Sequence, residues 1–270
     1  MISKSTKFLA LFDLHFGYEW GWKAGVRKIL PAFAKDAIQA VMDFAKDFRP
    51  TAVILGGDQL NFGPISHWNR GLPRITEGLR LKEEMDELDE VVLKPLDKIV
   101  GKGLKYWMDG NHEVWMRRFV DENPGLEGLV EPSAYLRLKQ RGWQLFSQGE
   151  VSRLGKLYFV HGDVLFGRRS YSTVNPARLL VNTFHRNIRA GHLHTYSVAT
   201  EISPADRYDY HTGIVVPSLS SRTPYYVHYN PTNHMHGFLC GVVYPDGFFT
   251  DQVVVVNRGS FYSMEGKKYG

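Results

Sequence analysis

Five short clusters of polar residues stand out in the sequence, and each directly follows a run of apolar residues. The clusters are Asp13-Leu14-His15, Gly57-Asp58, Gly110-Asn111-His112-Glu113, His161-Gly162-Asp163 and Gly191-His192-Leu193-His194. Their carboxylate, amide and imidazole groups make a mixed oxygen and nitrogen ligand set, which suits Mn, Fe, Zn or Ni better than Ca or Mg. The pattern therefore indicates a transition-metal site.

Seven candidate ligands exceed the needs of one metal ion. Two ions about 3.5 to 4 Å apart, sharing one bridging carboxylate, would use the set, and such pairs clamp the attacking and leaving oxygens in phosphoryl transfer. The spacing agrees with this interpretation. In an extended segment residues i and i+2 point the same way, so Asp13 with His15, and His192 with His194, can each reach one site.

The apolar runs before the clusters predict strands that alternate with helices. Residues 7–12, 51–55 and 104–108 read as strands, whereas 31–48 and 79–100 carry apolar residues at helical spacing. After residue 140 the chain changes to alternating short runs typical of a β-rich region. Ligands in open α/β sheets bind beyond the carboxyl ends of strands, so the five clusters should converge on one crevice.

Composition sets the broad class of the protein. The chain has 270 residues, of which 43% are hydrophobic and 13% aromatic, and this excludes global disorder. We find no repeat or long linker, so we expect one α/β domain over residues 1–270. The single cysteine, Cys240, cannot form an intramolecular disulfide, and no targeting or membrane-spanning segment is visible. A cytoplasmic setting without membrane association fits best.

The positive charge is concentrated in the second half of the chain. Lys and Arg outnumber Asp and Glu by 12 to 7 after residue 150, whereas the counts are 21 and 21 before it. Basic surface attracts phosphate through long-range fields, so this balance is compatible with polyanionic substrates. The excess is modest beside that of dedicated nucleic-acid binders.

The order and wording of the blocks resemble the calcineurin-like metallophosphoesterase family, whose pattern runs D-x-H, G-D, G-N-H-[D/E], H and G-H-x-H. All five blocks are present in order between residues 13 and 194. Independent turns or helix caps would explain any one polar residue but would not reproduce the ordered set. The resemblance implies a four-layer α/β/β/α sandwich with mixed sheets.

The resemblance also implies a role for each residue of the blocks. Asp13, His15 and His194 would hold one metal ion, and Asp58 would bridge to the second. The second ion would take Asn111, His161 and His192. His112 would meet the substrate and protonate the leaving oxygen or stabilise phosphoryl charge, the nucleophile being a hydroxide between the ions. A plain alternative is that Asn111 caps a helix and His112 is merely exposed in its first turn.

Candidates for substrate binding lie outside these blocks. In His67-Trp68-Asn69-Arg70, a ring and a cation could grip a nucleotide or phosphate, and we predict His67 and Arg70 as the contacts. The alternative is a loop anchored by a buried Trp. Arg168 and Arg169 could hold phosphate oxygens or be solvated surface residues. Likewise His228, His234 and His236 fit a substrate rim or extra metal site, or else ordinary loop and strand-edge positions.

The sequence thus predicts a hydrolase acting on phosphate esters with two divalent transition-metal ions, Mn²⁺ ahead of Fe, Zn or Ni. We expect a phosphodiesterase, with nucleic acid among its candidate substrates. A phosphomonoesterase acting on nucleotides, metabolites or phosphoproteins is the alternative, because the ligand set reads only the phosphoryl group. A non-catalytic docking module is the third hypothesis, although every ligand position is filled.

Overall fold

The computed structural model describes residues 4–166, 175–224 and 232–270. The strands are β1 Thr6–Leu11, β2 Tyr18–Lys23, β3 Val26–Pro31, β4 Ala52–Leu55, β5 Leu104–Met108, β6 Gln144–Phe146, β7 Ser152–Leu154, β8 Leu157–Val160, β9 Asn187–Ala190, β10 Ser197–Ile202, β11 Tyr210–Val215, β12 His236–Val243, β13 Phe249–Val256, β14 Phe261–Tyr262 and β15 Lys268–Tyr269. The helices are α1 Lys35–Phe48, α2 Pro73–Thr76, α3 Leu81–Leu88, α4 Lys94–Val100, α5 Asn111–Glu122, α6 Pro132–Tyr135, α7 Asp163–Phe166 and α8 Pro176–Phe184. None of these helices combines the length and the apolar composition that crossing a bilayer requires.

The larger sheet has six strands in the order β13-β12-β1-β4-β5-β6. Its four strands from β1 to β6 are parallel, and β12 and β13 add antiparallel strands at one edge. Helix α1 connects β1 to its parallel neighbour β4, as the βαβ pattern predicted. Parallel pairing brings the carboxyl ends of β1, β4 and β5 to one edge of the sheet.

The second sheet has five strands in the order β10-β11-β9-β8-β7. Its central strands β8, β9 and β11 are parallel, and β7 and β10 pair antiparallel at the two edges. Both sheets are therefore mixed, which confirms the predicted α/β class.

Three apolar clusters show how the layers pack. Side chains alternate along β1, so Leu9 and Leu11 join the core under the helices, whereas Phe8 and Ala10 face the second sheet. Phe8 meets Phe159 of β8 edge to face there, with ring centroids 6.0 Å apart. The other face of the second sheet packs against α8. The order of layers is thus helices, sheet, sheet, helix.

The predicted long helix over residues 79–100 is present with one irregularity. Helix α3 continues through a π-helical turn, Asp89–Leu93, directly into α4. Pro95 lies at the start of α4, and proline has no N–H to donate to the preceding turn. A π turn at this point accommodates the proline without breaking the helix.

The hairpin β2-β3 and helix α8 are among the elements that were not predicted from the sequence. Strands β2 and β3 form an antiparallel hairpin over Tyr18–Pro31, so helix α1 begins at Lys35 and not at residue 31. Helix α8 is amphipathic but only nine residues long, and it lies in the region that the sequence predicted as β-rich. Both elements are short, and packing against the larger sheets or loops stabilises them.

A buried ion pair joins the two sheets and gives a test of this packing. Arg189 of β9 is 1% exposed, and its Nε donates to Oδ2 of Asp251 in β13 at 2.6 Å. Arg189→Met would leave a buried carboxylate without its partner, so we expect urea unfolding to show a loss of about 3 to 5 kcal/mol. The exposed pair Lys46 and Asp43 supplies the control, because Lys46→Met should cost less than about 1 kcal/mol. Equal costs would contradict the inter-sheet pairing.

Candidate metal centre

The five polar clusters lie in loops that directly follow β1, β4, β5, β8 and β9. Backbone hydrogen bonds tie the first two loops together. The N–H of Asp13 donates to the Gly57 carbonyl at 3.0 Å, and that of His15 donates to the Asp58 carbonyl at 2.9 Å. The convergence that the sequence predicted is therefore present, and it begins in the main chain.

Five of the seven predicted ligands have a left-handed backbone. Their φ angles are Asp13 50°, His15 51°, Asp58 53°, His192 76° and His194 56°. This region is uncommon for residues other than glycine and is least costly for Asn, Asp and His. Unfavourable backbone at so many positions of one site is typical of functional loops, where the surrounding structure holds the strain.

Two glycines of the blocks are required by close approach. A Cβ at Gly110 would overlap Oδ1 of Asp58, and a Cβ at Gly191 would overlap Oδ2 of Asp13. Each carboxylate instead accepts a backbone N–H beside the glycine. His112 N–H donates to Oδ1 of Asp58 at 2.9 Å, and His192 N–H donates to Oδ2 of Asp13 at 2.8 Å.

One group of donors consists of Asp13, His15 and His194, whose ligand atoms all lie within 4.8 Å of one another. Nε2 of His194 is 3.3 Å from Nε2 of His15 and 3.4 Å from Oδ1 of Asp13. All three side chains are buried. This is the set predicted for the first ion.

A second group consists of Asp58, His161 and His192. Nε2 of His161 lies 3.2 Å from Oδ2 of Asp58, which is also 3.9 Å from Nε2 of His15. Asp58 thus lies between the two groups. Asn111 is the first residue of α5 and lines the same cleft as Asp58 and His192.

Hydrogen bonds orient three of the imidazole rings. His161 Nδ1 lies 3.0 Å from the Gly56 carbonyl, and His112 Nδ1 lies 2.7 Å from the Asn61 carbonyl. A carbonyl can only accept, so Nδ1 donates and Nε2 of the neutral ring offers a lone pair. His194 makes the corresponding contact to Oγ of Ser220 at 3.1 Å. A histidine that binds a metal through one ring nitrogen characteristically makes such a hydrogen bond through the other.

The buried donor atoms fit a metal-binding role. Oδ1 of Asp13 and Oδ1 of Asn111 make no hydrogen bond with any described residue, although both are buried. Buried polar atoms are nearly always satisfied, so these oxygens need a partner that the described residues do not supply. A divalent cation accepts oxygen and imidazole nitrogen donors together, so the residues present fit such a group.

The charge states of Asp58 and His15 agree with this. At His161, burial alone would lower the pKa, but the carboxylates of Asp58 and Asp13 raise it well above its usual value, so a metal ion there would displace a proton. Burial alone would raise the pKa of Asp58, but His161 and His112 hold it well below its usual value. Burial, followed by the nearby His112 and His194, holds the pKa of His15 well below its usual value. Asp58 is therefore an anion and His15 is a neutral ring, which are the forms that bind metals.

Glu113 is a residue whose role the sequence interpretation missed. Its carboxylate accepts backbone N–H groups of Asp58 at 3.0 Å, Gln59 at 3.0 Å and Gly110 at 2.9 Å. It thus joins two ligand-bearing loops without facing the metal donors. The signal in the sequence that could have identified Glu113 is its position in the third polar cluster. Ser220, by contrast, lies 26 residues beyond its partner His194, and no pattern in the sequence marks it.

The predicted substrate-binding residues occupy different positions. The ring of His67 packs 4.4 Å from that of Trp68, and Arg70 forms an ion pair with Glu122. Neither His67 nor Arg70 is among the residues that line the cleft at the metal donors. Arg168, Arg169 and His228 lie outside the described residues.

Two further histidines lie at the edge of the site. The ring of His234 is 4.8 Å from that of His194, and burial followed by His194 lowers the pKa of His234 to about 4. His236 contacts the backbone carbonyl of Ser220 at 2.8 Å. The structure therefore places His234 beside His194 of the first donor group. It places His236 next to Ser220, the residue that contacts His194.

A cleft of about 390 Å³ opens from the metal donors to the surface. Donor residues of both groups form its floor. Trp68 and Trp115 line the cleft on one side, and Tyr18, Ile75 and Leu79 also border it. The cleft is therefore largely apolar above a floor of metal donors.

The chain is similar to metallophosphoesterases of known structure. It matches a conserved uncharacterized protein, described as a predicted phosphoesterase, from Streptococcus pneumoniae at 13% identity and a TM-score of 0.39, covering 98% of this chain and 97% of that one. A metallophosphoesterase from Sphaerobacter thermophilus matches at 15% identity and a TM-score of 0.43, covering 93% and 88%. Wild-type Vps29 complexed with Zn²⁺ from Entamoeba histolytica matches at 12% identity and a TM-score of 0.36, covering 92% and 98%.

No protein-family model and no curated protein matches the chain. The structural likenesses are weak in identity and in TM-score. The functional conclusions therefore rest on the geometry of the cluster itself.

The close approach at Gly110 gives a test of the site. In Gly110→Ala the added Cβ would displace the carboxylate of Asp58, and we expect metal affinity to fall by roughly 10- to 100-fold, as for other changes to groups that orient ligands. Titration of metal-free protein with Mn²⁺ in a calorimeter measures this. Gly125→Ala is the matched control, because a Cβ at Gly125 meets nothing within 4 Å. Equal affinities of the two variants would exclude the proposed position of Asp58.

Proposed function

We propose that the protein is a metal-dependent phosphoester hydrolase with a dinuclear centre at the floor of the cleft. One observation carries the proposal: seven oxygen and nitrogen donors from the segments after five separate strands converge, and two of their buried oxygens lack a partner among the described residues. Two divalent ions held there would lower the pKa of a bound water and stabilise charge on a phosphoryl group. The first 194 residues contain every proposed ligand, within a chain that we propose acts as one domain.

The assignment of the ligands uses two of the three groups of donors whose ligand atoms lie within 4.8 Å of one another. The third group is His15, Asp58 and His112, of which we propose His112 for contact with the substrate instead. We propose that Asp13, His15 and His194 hold one ion, and that Asn111, His161 and His192 hold the other. Asp58 lies between the groups and is the proposed bridge. The mixed donors suit Mn²⁺, Fe, Zn²⁺ or Ni, and we propose Mn²⁺ as the first metal to supply.

His112 is the proposed catalytic residue. Its Nδ1 is occupied by the Asn61 carbonyl, its ring borders the cleft, and its Nε2 is 3.9 Å from Oδ2 of Asp58. Nε2 is therefore the ring atom left for a substrate: it accepts in the neutral ring and would deliver a proton to a substrate oxygen from the doubly protonated ring. The hydrogen bond between Nδ1 and the Asn61 carbonyl fixes the ring and leaves Nε2 for the substrate.

The charge of the cleft favours phosphodiesters. None of the described residues that line it is Lys or Arg. A phosphate monoester carries about 1.5 to 2 negative charges at pH 7, because its second pKa is about 6, whereas a diester carries one. With no described lysine or arginine beside the proposed ions, the diester is the better fit. A nucleic acid would bring further phosphates, so nuclease activity requires cations from elsewhere, such as the predicted Arg168 and Arg169.

The single cysteine supports a proposal for the cellular compartment. The single cysteine, Cys240, is buried and makes no disulfide. A reducing compartment would therefore cost the protein nothing in stability, and we propose a cytoplasmic location.

Two substitutions separate metal binding from proton transfer. Asp58→Asn should lose bound metal and turnover together, because the amide supplies a weaker ligand at the bridging position. His112→Ala should keep the metal and lower kcat by about 10²- to 10⁴-fold. Asp121→Asn, an exposed change in the same helix as His112, is the control. Metal content after dialysis and kcat are measured together. Full metal content and activity in Asp58→Asn would refute the assignment.

The choice between diester and monoester is tested with one leaving group. Bis(4-nitrophenyl) phosphate and 4-nitrophenyl phosphate both release 4-nitrophenolate, so kcat/KM compares the two classes with Mn²⁺ supplied. We expect the diester to be preferred by tenfold or more, equivalent to about 1.4 kcal/mol. A preference for the monoester would overturn the charge argument and support a phosphatase. Turnover of neither would favour the docking hypothesis.

A further inference from the structure

A line of aromatic rings in contact runs beside the cleft, and three of its members, Trp68, Trp115 and His112, also border the cleft. The ring centroids are 4.4 Å apart between Trp68 and His67, 5.6 Å between His67 and Trp115, and 3.8 Å between Trp115 and His112. The line begins at the surface and ends at the side chain proposed to meet the substrate. It therefore connects the solvent-exposed mouth of the cleft with the reacting centre.

Trp68 is 74% exposed, which is unusual for the largest apolar side chain. The turn that carries it is nevertheless well fixed. Oγ of Ser66 accepts the N–H of Trp68 at 3.3 Å, and Nδ2 of Asn69 donates to the Gly63 carbonyl at 2.9 Å. An exposed indole on an ordered turn at the mouth of a cleft needs an explanation other than core packing, and a ligand that covers it is one.

Other lining residues are also apolar towards the cleft. Ile75 and Leu79 contribute aliphatic groups. Tyr18 lines the cleft too, but its hydroxyl donates to Oε2 of Glu87 at 2.7 Å, so the ring and not the hydroxyl is available to a ligand. A ligand body in contact with these groups would be apolar.

The described lining of the cleft offers no lysine or arginine side chain to an anionic ligand body. Arg70, two residues from Trp68, forms its ion pair with Glu122. Further phosphates beyond the one at the metal donors would therefore find no cation among the described residues of the cleft.

From these observations we propose that the cleft binds the organic group of a small phosphoester that has one phosphate and a flat, uncharged ring system, stacked on the exposed indole of Trp68 and bordered by Trp115. This inference rests on the proposed function and names its substrate class. An aromatic ring stacks on an indole through dispersion and the complementary charge of ring faces and edges, which a saturated ring of similar size cannot match. Nucleosides and aryl alcohols share this chemistry, whereas a nucleic-acid strand does not fit because of its additional phosphates.

The test compares two ligands that match in charge and carbon skeleton, one with a planar aromatic ring and the other with a saturated ring. The monomethyl esters of benzylphosphonate and cyclohexylmethylphosphonate carry one negative charge and resist hydrolysis, so calorimetry on Mn²⁺-loaded protein measures their Kd directly. We expect the benzyl compound to bind roughly three- to tenfold more tightly. In Trp68→Ala its binding should weaken by roughly 5- to 100-fold and the preference should disappear, and Trp68→Phe should restore most of both.

Trp22→Ala is the matched control, because Trp22 is 56% exposed but does not line the cleft. It should retain wild-type affinity and preference. Equal binding of the two phosphonates, binding of neither, or an unchanged Kd in Trp68→Ala would overturn the inference. Turnover of bis(4-nitrophenyl) phosphate by the same preparations reports the proposed function separately, so a protein that hydrolyses the diester without preferring the planar ligand refutes the inference alone.

Discussion

The structure depends on the burial of two carboxylates, Asp13 and Asp58, within one cluster of imidazoles. Both carboxylates are almost fully removed from solvent, and burying an anion is costly unless a cation or several donors compensate it. Backbone N–H groups supply part of the compensation, through His192 to Asp13 and His112 to Asp58. Oδ1 of Asp13 remains without a hydrogen bond in the described structure. Divalent cations at this point would satisfy the remaining need, which is why the arrangement is chemically sensible as a metal centre.

The rest of the fold stabilises this arrangement, which is energetically unfavourable by itself. Left-handed backbone at Asp13, His15 and Asp58 is unfavourable in isolation, and it persists because hydrogen bonds between the loops fix it. Glu113 adds a carboxylate that collects N–H groups from two loops. The parallel strands bring the loops to one edge, and the apolar clusters on both faces of the sheets fix the strands. The strained loops therefore lower the stability of the fold, and the packing of the sheets compensates for this cost.

Much of this could be predicted from the sequence, for identifiable reasons. Apolar runs of characteristic period gave β1, β4 and β5 within a residue or two, and the polar blocks after them gave the donors. The hairpin Tyr18–Pro31 was missed because its apolar residues are half-exposed and its alternation includes Gly21. The partner of His194, Ser220, depends on a contact across the fold. Trp68 could be recognised as a candidate from its neighbours, but only the structure shows that it lines the cleft whereas Arg70 pairs with Glu122.

The central claim is that the convergent donors bind two metal ions. The most direct measurement loads purified protein with Mn²⁺, removes free metal by dialysis and counts the bound ions per chain by elemental analysis. The account predicts two ions per chain, since seven donors exceed the needs of one ion. A count of none or one after loading with excess Mn²⁺, and again after loading with Zn²⁺, would contradict the account. In that case the buried carboxylates and histidines would have to be explained as a polar network in their own right.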